Sequence, residues 1–102
     1  MDKNCPITKT MNRLSRKWAF HILREMNGNG PKRFGELLRG MKGVSPRTLS
    51  RRLKELEDIG MVSRKKFNEI PPKVEYSLTR KGNELIKCFG YLNNWARKFG
   101  AK

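Results

Sequence analysis

The residues best suited to chemistry in this 102-residue sequence are the cations and hydroxyls between Ser45 and Lys54. Leu49, Leu53 and Leu56 recur at spacings of four and three, which predicts an apolar stripe along one side of a helix. At about 100° per residue, the remaining side chains project from the other side. This outer set consists of Ser45, Arg47, Thr48, Ser50, Arg51 and Lys54. Such side chains donate hydrogen bonds to phosphates and base edges, so we expect a helix that reads nucleic acid.

Both ends of this helix are signalled in the sequence. Ser45 can cap it by accepting a hydrogen bond from a free backbone N–H of the first turn, and Pro46 suits the first helical position. Gly60 suits the left-handed conformation that ends a helix. We therefore expect a recognition helix over about 45–59.

The order of charges along this helix is unusual for one selected only for stability. Arg47, Arg51 and Arg52 precede the acidic residues, whereas the helix macrodipole favours acids first and bases last. A recognition helix presents its N-terminal residues to base edges in the major groove, which accounts for early cations. The alternative is a solvated surface with Arg51–Glu55 and Lys54–Asp58 ion pairs. That alternative does not account for Arg47, which has no acidic residue three or four positions later.

After the recognition helix, the hydrophobic period changes to two, which predicts a β-hairpin over about 61–78. Its first strand should run from Val62 to Phe67, and residues 68–72 should form the turn. The residues expected to face inward on the returning strand are Val74, Tyr76 and Leu78. Four cations make this hairpin a basic wing that could follow the minor groove or its phosphates: Arg64, Lys65, Lys66 and Lys73. The alternative is a charged edge that only prevents strand aggregation.

Three shorter helices are predicted before the recognition helix. The apolar spacing indicates helices over Ile7–Leu14, Ser15–Asn27 and Phe34–Met41. A short turn over residues 40–43 joins the third of these to the recognition helix, which is the helix-turn-helix arrangement. Arg33, just before the third helix, is either a contact to the phosphate backbone or ordinary surface charge.

The last helix, over about 80–99, carries more apolar surface than one stripe requires. One face consists of Leu85, Phe89, Leu92, Ala96 and Phe99, and a second consists of Cys88, Tyr91 and Trp95. A domain this small should expose one face to a second copy, although both faces could also pack internally. The residues that we expect at a homodimer interface, with help from the first helix, are Met11, Leu85, Phe89, Leu92, Trp95 and Phe99.

The composition favours a nucleic-acid partner. Residues 1–102 form one domain by their length, and 24 Lys+Arg against 9 Asp+Glu give a formal net charge of +15. This charge favours polyanions, through counterion release, over an acidic protein or an anionic membrane. No apolar run is long enough to span a membrane, and the N-terminus has no hydrophobic signal core, so we expect a cytoplasmic protein.

The chain lacks the groups of side chains that most enzymes and metal sites need. His21 is the single histidine, and Cys5 and Cys88 lie far apart, so neither a zinc site nor a disulfide scaffold is expected. The sequence has no paired carboxylate site, no nucleophile with a nearby base and no Gly-rich phosphate loop. We therefore expect no metal, no cofactor and no catalytic residue. Cys88 should be a small buried filler.

The order of elements and several motifs resemble those of the HxlR-type regulators, which are related to the MarR-like winged helices. The resemblance runs along the whole chain and includes Cys5-Pro6-Ile7, Lys17-Trp18, Arg33-Phe34-x-Glu36-Leu37 and the segment from Pro72 to Thr79. One departure is Ser15-Arg16, which precedes Lys17-Trp18 where the family usually has glycine. The resemblance implies an α+β, mainly helical winged helix-turn-helix with a two-stranded wing and a long C-terminal dimerisation helix.

The resemblance also implies how the protein works. It implies a homodimer joined by the N- and C-terminal helices, with DNA recognition by the helix at Ser45 and a wing at Arg64 to Lys73. In some members it implies thiol-based sensing at the position of Cys5. The proximity of Lys3 and Lys9, and of the first helix's N-terminus, should lower the pKa of the Cys5 thiol. The alternative for Cys5 is again a small apolar filler.

We therefore expect a sequence-specific regulator of transcription that binds double-stranded DNA as a homodimer, with a small-molecule or thiol-reactive effector as a further partner. The alternative is a basic winged helix that binds DNA or RNA without sequence preference, in chromosome packaging or on RNA. A net charge of +15 alone would supply that affinity. Competition against excess random DNA separates the two functions.

Overall fold

Five helices and a two-stranded antiparallel sheet make up residues 5–28 and 30–100, which are the part of the chain described by the computed structural model. In chain order, the elements are α1 Pro6–Leu14, α2 Ala19–Met26, α3 Phe34–Gly40, α4 Pro46–Asp58, β1 Val62–Phe67, β2 Lys73–Leu78 and α5 Arg80–Phe99. The predicted winged helix-turn-helix is confirmed, with α3 and α4 as its two helices and β1–β2 as its wing. No helix within these ranges is long and apolar enough to cross a membrane.

The apolar stripe of α4 lies at the centre of the core. Leu49, Leu53 and Leu56 are 0%, 1% and 2% exposed, and full burial of such a side chain contributes about 1.5–3 kcal/mol to folding. They pack with residues of α2, α3 and β1, of which the most deeply buried are Ile22, Leu23, Leu37 and Val62. The opposite side of α4 is thereby directed to solvent.

Both ends of α4 have the features that the sequence indicates. Ser45 Oγ accepts a hydrogen bond from the backbone N–H of Thr48 at 3.1 Å. At the other end, Gly60 has a φ of +81°, a left-handed conformation that favours glycine. The N–H of Met61 then donates to the carbonyl oxygen of Leu56 at 2.9 Å. The chain therefore leaves α4 in a defined direction and enters β1.

The start of α2 differs from the prediction, which placed a helix over Ser15–Asn27. The structure begins α2 at Ala19, because Trp18 has a φ of +79° and this left-handed conformation interrupts a continuous helix. Such a conformation costs a non-glycine residue roughly 1–3 kcal/mol. The Trp18 ring packs against the core, and its burial offsets this strain.

The wing is anchored to the rest of the domain by backbone hydrogen bonds on both edges of β2. On one edge it pairs with β1, with Val62 opposite Leu78. On the other, the N–H of Lys32 donates to the carbonyl of Tyr76 at 2.8 Å, and the N–H of Tyr76 donates to the carbonyl of Lys32 at 2.7 Å. The predicted inward and outward alternation on β2 is weak, because every residue of this strand is half-buried.

Helix α5 is packed at its start and exposed at its end. Thr79 Oγ1 accepts a hydrogen bond from the N–H of Gly82 at 3.1 Å, and the Phe89 ring lies 4.5 Å from that of Phe20, measured between centroids. Four large apolar side chains further along are more than half exposed: Tyr91, Leu92, Trp95 and Phe99. The exposed apolar surface is therefore the second half of α5, and not one of two faces along its whole length.

Candidate nucleic-acid interface

The outer side of α4 is open to solvent along its length. Its exposed members are Arg47, Ser50, Arg51 and Lys54. Ser45 Oγ donates to the hydroxyl of Thr48 at 3.0 Å, in addition to its capping bond. These two hydroxyls are thus engaged with each other at the start of the helix, and the long side chains that extend from this side are those of the cations.

The ion pairs on α4 differ from those expected for a helix with only a solvated surface, in which Arg51 would pair with Glu55 and Lys54 with Asp58. Glu55 does not pair with Arg51, because its oxygens accept from Arg52 at 2.8 Å and from Arg16 at 2.9 Å. Within residues 5–28 and 30–100, neither Arg47 nor Arg51 forms an ion pair. Both guanidinium groups are therefore available to a ligand, and their planar geometry suits two-point contacts with guanine or phosphate.

The second ion pair expected for a solvated surface, Lys54–Asp58, is present. Lys54 Nζ lies 3.2 Å from Asp58 Oδ1, and the two side chains are 69% and 56% exposed. A pair this exposed contributes little to stability, since solvent screens it. A phosphate can therefore replace Asp58 as the partner of Lys54 at small cost.

The pleat of the wing separates its cations onto two faces. The strand register places Arg64 and Lys66 on one face, and it places Lys65 and Lys73 on the other face with Phe67. These cations therefore do not form the single basic wing surface that was predicted. The alternation of side chains along a strand divides that surface in two.

The first face of the wing borders α4. Arg64 lines a cleft of about 360 Å³ between the helix and the wing, together with Ser50, Lys54, Glu57 and Tyr76. Two cations and two hydroxyls around one cleft can contact a nucleic-acid backbone from both elements at once. Glu57 is the one acid of this set, and it lies near the C-terminal end of α4, away from Arg47.

On the second face of the wing, two ammonium groups flank one aromatic ring. The Nζ atoms of Lys65 and Lys73 lie 5.0 Å and 4.8 Å from the centroid of Phe67, which is within the range of cation–π attraction. Lys73 also pairs with Glu75 at 3.2 Å, with both side chains about three-quarters buried. Lys73 therefore serves the packing of the wing, whereas Lys65 is exposed.

Arg33 lies at the N-cap of α3, where the chain enters the helix-turn-helix. Its backbone N–H donates to Glu36 Oε1 at 2.8 Å, and its side chain is exposed. The neighbouring Lys32 is half-buried by its bridge to Tyr76. Of these two cations, Arg33 is the one free to extend towards a phosphate.

Cys5 is half-buried and forms the N-cap of α1. The backbone N–H groups of Thr8, and then of Ile7, lower the pKa of the Cys5 thiol, although the sulfur forms no full capping hydrogen bond. Lys3, which was expected to contribute, lies outside the described residues. The prediction that Cys88 is a buried filler is wrong, because Cys88 is exposed on α5.

One cluster, at the turn between α1 and α2, is not predicted by the sequence. Arg52 Nε donates to the carbonyl oxygen of Lys17 at 2.9 Å, next to the Arg16–Glu55 pair. These contacts join residues 35 and 39 positions apart, so no local spacing indicates them. The one available signal was Arg16 itself, in a position where the resemblance led us to expect glycine.

Comparison with known proteins shows the family to which the chain belongs. The HxlR-like helix-turn-helix family matches residues 13–102 of the chain. The HTH-type transcriptional regulator YvaP of Bacillus subtilis (strain 168) is 40% identical over 96 residues, which cover 93% of this chain and 88% of that protein.

Two solved structures show the same fold with comparable sequence identity. A transcriptional regulator of the MarR family from Enterococcus faecalis V583 superposes with a TM-score of 0.87 at 38% identity, covering 97% of this chain and 89% of that one. Diamide-treated YodB from B. subtilis superposes with a TM-score of 0.80 at 34% identity, covering 99% and 100%. The chain therefore belongs to the HxlR-like helix-turn-helix family of DNA-binding transcriptional regulators.

Proposed function

We propose that the protein is a homodimeric regulator of transcription that recognises a specific sequence in double-stranded DNA through α4 and the wing. The observation that carries the proposal is the pair of exposed arginines on α4, Arg47 and Arg51, neither of which forms an ion pair with another described residue. A helix fixed by a buried stripe and a side-chain cap presents these groups in a defined direction, as discrimination between base pairs requires. The similar proteins reported above are bacterial, and a regulator that acts on bacterial chromosomal DNA lies in the cytoplasm, where we place this protein.

In this proposal, α4 and the wing have different tasks. Arg47 and Arg51 lie in the N-terminal half of α4, the part of a recognition helix that meets base edges in the major groove. Arg64 and Lys66 lie on the wing face next to α4 and contact phosphates or the minor groove. Arg33 adds a backbone contact at the entry to α3. Base contacts then supply discrimination, and backbone contacts supply affinity.

Arg47→Ala should reduce the affinity for a preferred DNA fragment while leaving the affinity for random DNA nearly unchanged. The lost base contact should cost about 1–3 kcal/mol on the preferred fragment. Arg64→Ala should weaken binding to both DNAs alike and flatten the salt dependence, because a phosphate contact releases counterions. The measurement is a fluorescence-anisotropy titration, with the preferred fragment first selected from the host genome against excess random DNA.

Arg80→Ala is the matched control for the loss of one cation. Arg80 is exposed at the first position of α5 and is not among the residues that we assign to DNA contacts, so its loss should lower both affinities only slightly. If Arg47→Ala keeps the parent's ratio of specific to random affinity, the assignment of α4 is wrong. A parent protein that retains no fragment against random DNA would instead support the non-specific packaging function.

The apolar surface left exposed by one protomer supports the homodimer. Ile7 and Met11 on α1 are 64% and 55% exposed, and Trp95 and Phe99 on α5 are 56% and 66% exposed. The rings of Trp95 and Phe99 also lie 5.8 Å apart, so they form one surface. Clustered exposure of large apolar side chains marks protein–protein contact sites.

The remaining residues predicted at the dimer interface have different surroundings. Leu85 and Phe89 pack against the core of their own protomer, so in this proposal they support the helix that carries the interface. Leu92 borders a groove of about 580 Å³ between α2 and α5, which also involves Phe20 and Ala96. In a symmetric dimer, the two α4 helices would enter successive major grooves about 34–36 Å apart, on an inverted repeat.

Trp95→Glu should convert a dimer to a monomer, because a carboxylate would have to be buried in an apolar interface. Sedimentation velocity at tens of micromolar protein measures the mass. Ile70→Glu is the control, since Ile70 is fully exposed on the turn of the wing and should leave the dimer intact. A parent protein that sediments as a monomer would contradict the proposed assembly.

Cys5 is proposed as a thiol that couples oxidation or alkylation to DNA binding. Its pKa is lowered by N–H groups of the first turn of α1, which raises the thiolate fraction at neutral pH. It caps a helix that we place in the dimer interface, so a group added there can change the relative position of the protomers. The similar protein YodB has been crystallised after treatment with diamide, a thiol oxidant.

The rate of alkylation of Cys5 by iodoacetamide should be proportional to the thiolate fraction. The pH at which this rate is half its maximum should therefore be lower than for a free cysteine peptide. The rate should therefore already be high at neutral pH and should level off as pH rises through the lowered pKa. DNA affinity measured in parallel should fall in the parent and not in Cys5→Ser, which keeps Cys88. Modification of Cys5 that leaves the affinity of the parent unchanged would rule out this sensor.

A further inference from the structure

One polar cluster connects α1, which we place in the dimer interface, with α4, which we propose binds DNA. It consists of Arg16 and Lys17 in the turn after α1, and of Arg52 and Glu55 on α4, and we call it the joint. Arg16 Nη1 donates to Glu55 Oε2 at 2.9 Å, and Arg52 Nη1 donates to Glu55 Oε1 at 2.8 Å. Arg52 Nε donates to the Lys17 carbonyl at 2.9 Å. Both carboxylate oxygens of Glu55 and two donors of Arg52 are thus in use.

Helix α1 is otherwise held loosely on the domain. None of its residues is buried, and Leu14 is the residue of α1 that packs against the core. A cavity of about 30 Å³ and a cleft of about 180 Å³ lie beside it, and both are bordered by Arg13 of α1 and Ile59. The orientation of α1 relative to α4 is therefore set mainly by Leu14 and by the joint.

The exposure of the joint argues against a role limited to folding stability. The side chains of Arg16 and Glu55 are 54% and 31% exposed, and ion pairs that solvent reaches contribute little to the free energy of unfolding. Their geometry is nevertheless specific, because charge-assisted bonds to both oxygens of one carboxylate restrict its direction. Trp18 lies immediately after the joint, and its ring packs against the core, which anchors the turn as well.

We infer that Arg16 and Glu55 are positioning residues, which fix the direction of α4 relative to α1 and thereby the separation of the two α4 helices in the dimer. The inference rests on the proposed function, which places α1 in the dimer interface and α4 in the major groove. Any change in the angle between α1 and α4 occurs in both protomers of a symmetric dimer. The joint therefore determines how strictly the protein selects the spacing between two half-sites.

The effect depends on the side chain of Arg16, which donates to Glu55 at 2.9 Å. Glycine, which the family resemblance led us to expect just before Lys17-Trp18, has no side chain that could reach Glu55. Arg16 adds a second donor to a carboxylate that Arg52 already contacts. Loss of the Arg16 side chain should therefore be sufficient to weaken the selection of spacing, even though Arg52 still links Glu55 to the Lys17 carbonyl.

The test compares Arg16→Gln and Glu55→Gln with the parent on a set of duplexes. The set contains the genomic fragment selected by the parent, and derivatives with one or two base pairs added or removed between its half-sites. The parent should prefer its own spacing by about tenfold or more, as expected when half of the base contacts are lost. In both variants this preference should fall several-fold, with affinity for random DNA no lower than in the control Arg80→Gln.

A second measurement needs no DNA. A spin label on Ser50→Cys, in a background with Cys5→Ser and Cys88→Ser, reports the distance between the two α4 helices of the dimer. Double electron–electron resonance should give a narrow distribution for the parent and a broader or shifted one for Arg16→Gln. Arg16 is half-exposed, so this variant should fold even if Glu55→Gln does not, and thermal unfolding checks both.

The outcomes distinguish the inference from the proposed function. A variant protein that keeps both the parent's spacing preference and the parent's distance distribution would overturn the inference alone. A parent that binds all spacings equally would overturn the proposed recognition of an inverted repeat. In that case, the distance distribution of Arg16→Gln still decides whether the joint positions α4.

Discussion

Burial of one leucine stripe is the constraint on which the proposed DNA-binding surface depends. With Leu49, Leu53 and Leu56 almost completely removed from solvent, α4 cannot rotate about its axis without exposing them. A rotation would also bring Arg47 or Arg51 into the core, where an unpaired cation is strongly unfavourable. The hydrophobic effect thus fixes which side of the helix faces outward, and the charged side requires no interaction of its own to remain there.

The cations that give the chain its net charge of +15 have different roles in the folded protein. Arg16, Arg52 and Lys73 are engaged by acidic residues of the domain itself and contribute to its internal geometry. Arg47 and Arg51 have no such partner among the described residues, and they lie on the side of α4 that the core leaves open. A count of charges therefore indicates a polyanion as the partner, while the pairing of those charges indicates where the polyanion binds.

Features encoded by residues a few positions apart could be predicted from the sequence. The cap at Ser45, the stripe and Gly60 belong to one helix and its two ends, so α4 and its outer side followed from local spacing. The turn at Trp18 and the bridge from Lys32 to β2 depend on contacts with distant residues, and local periodicity does not report these. The partners of Glu55 were missed for the same reason. The two faces of the wing were missed although the strand period alone implies them.

In the proposed complex, each of the two α4 helices of the dimer contacts base edges in the major groove. Protection of guanine N7 from dimethyl sulfate measures these contacts, because N7 lies in the major groove and is methylated there. On the selected genomic fragment, we expect protected guanines in two short segments about 10–10.5 base pairs apart, with unprotected guanines between them. Protection spread evenly along the fragment, or none at N7 under conditions of full binding, would show that the two α4 helices do not read bases in the major groove.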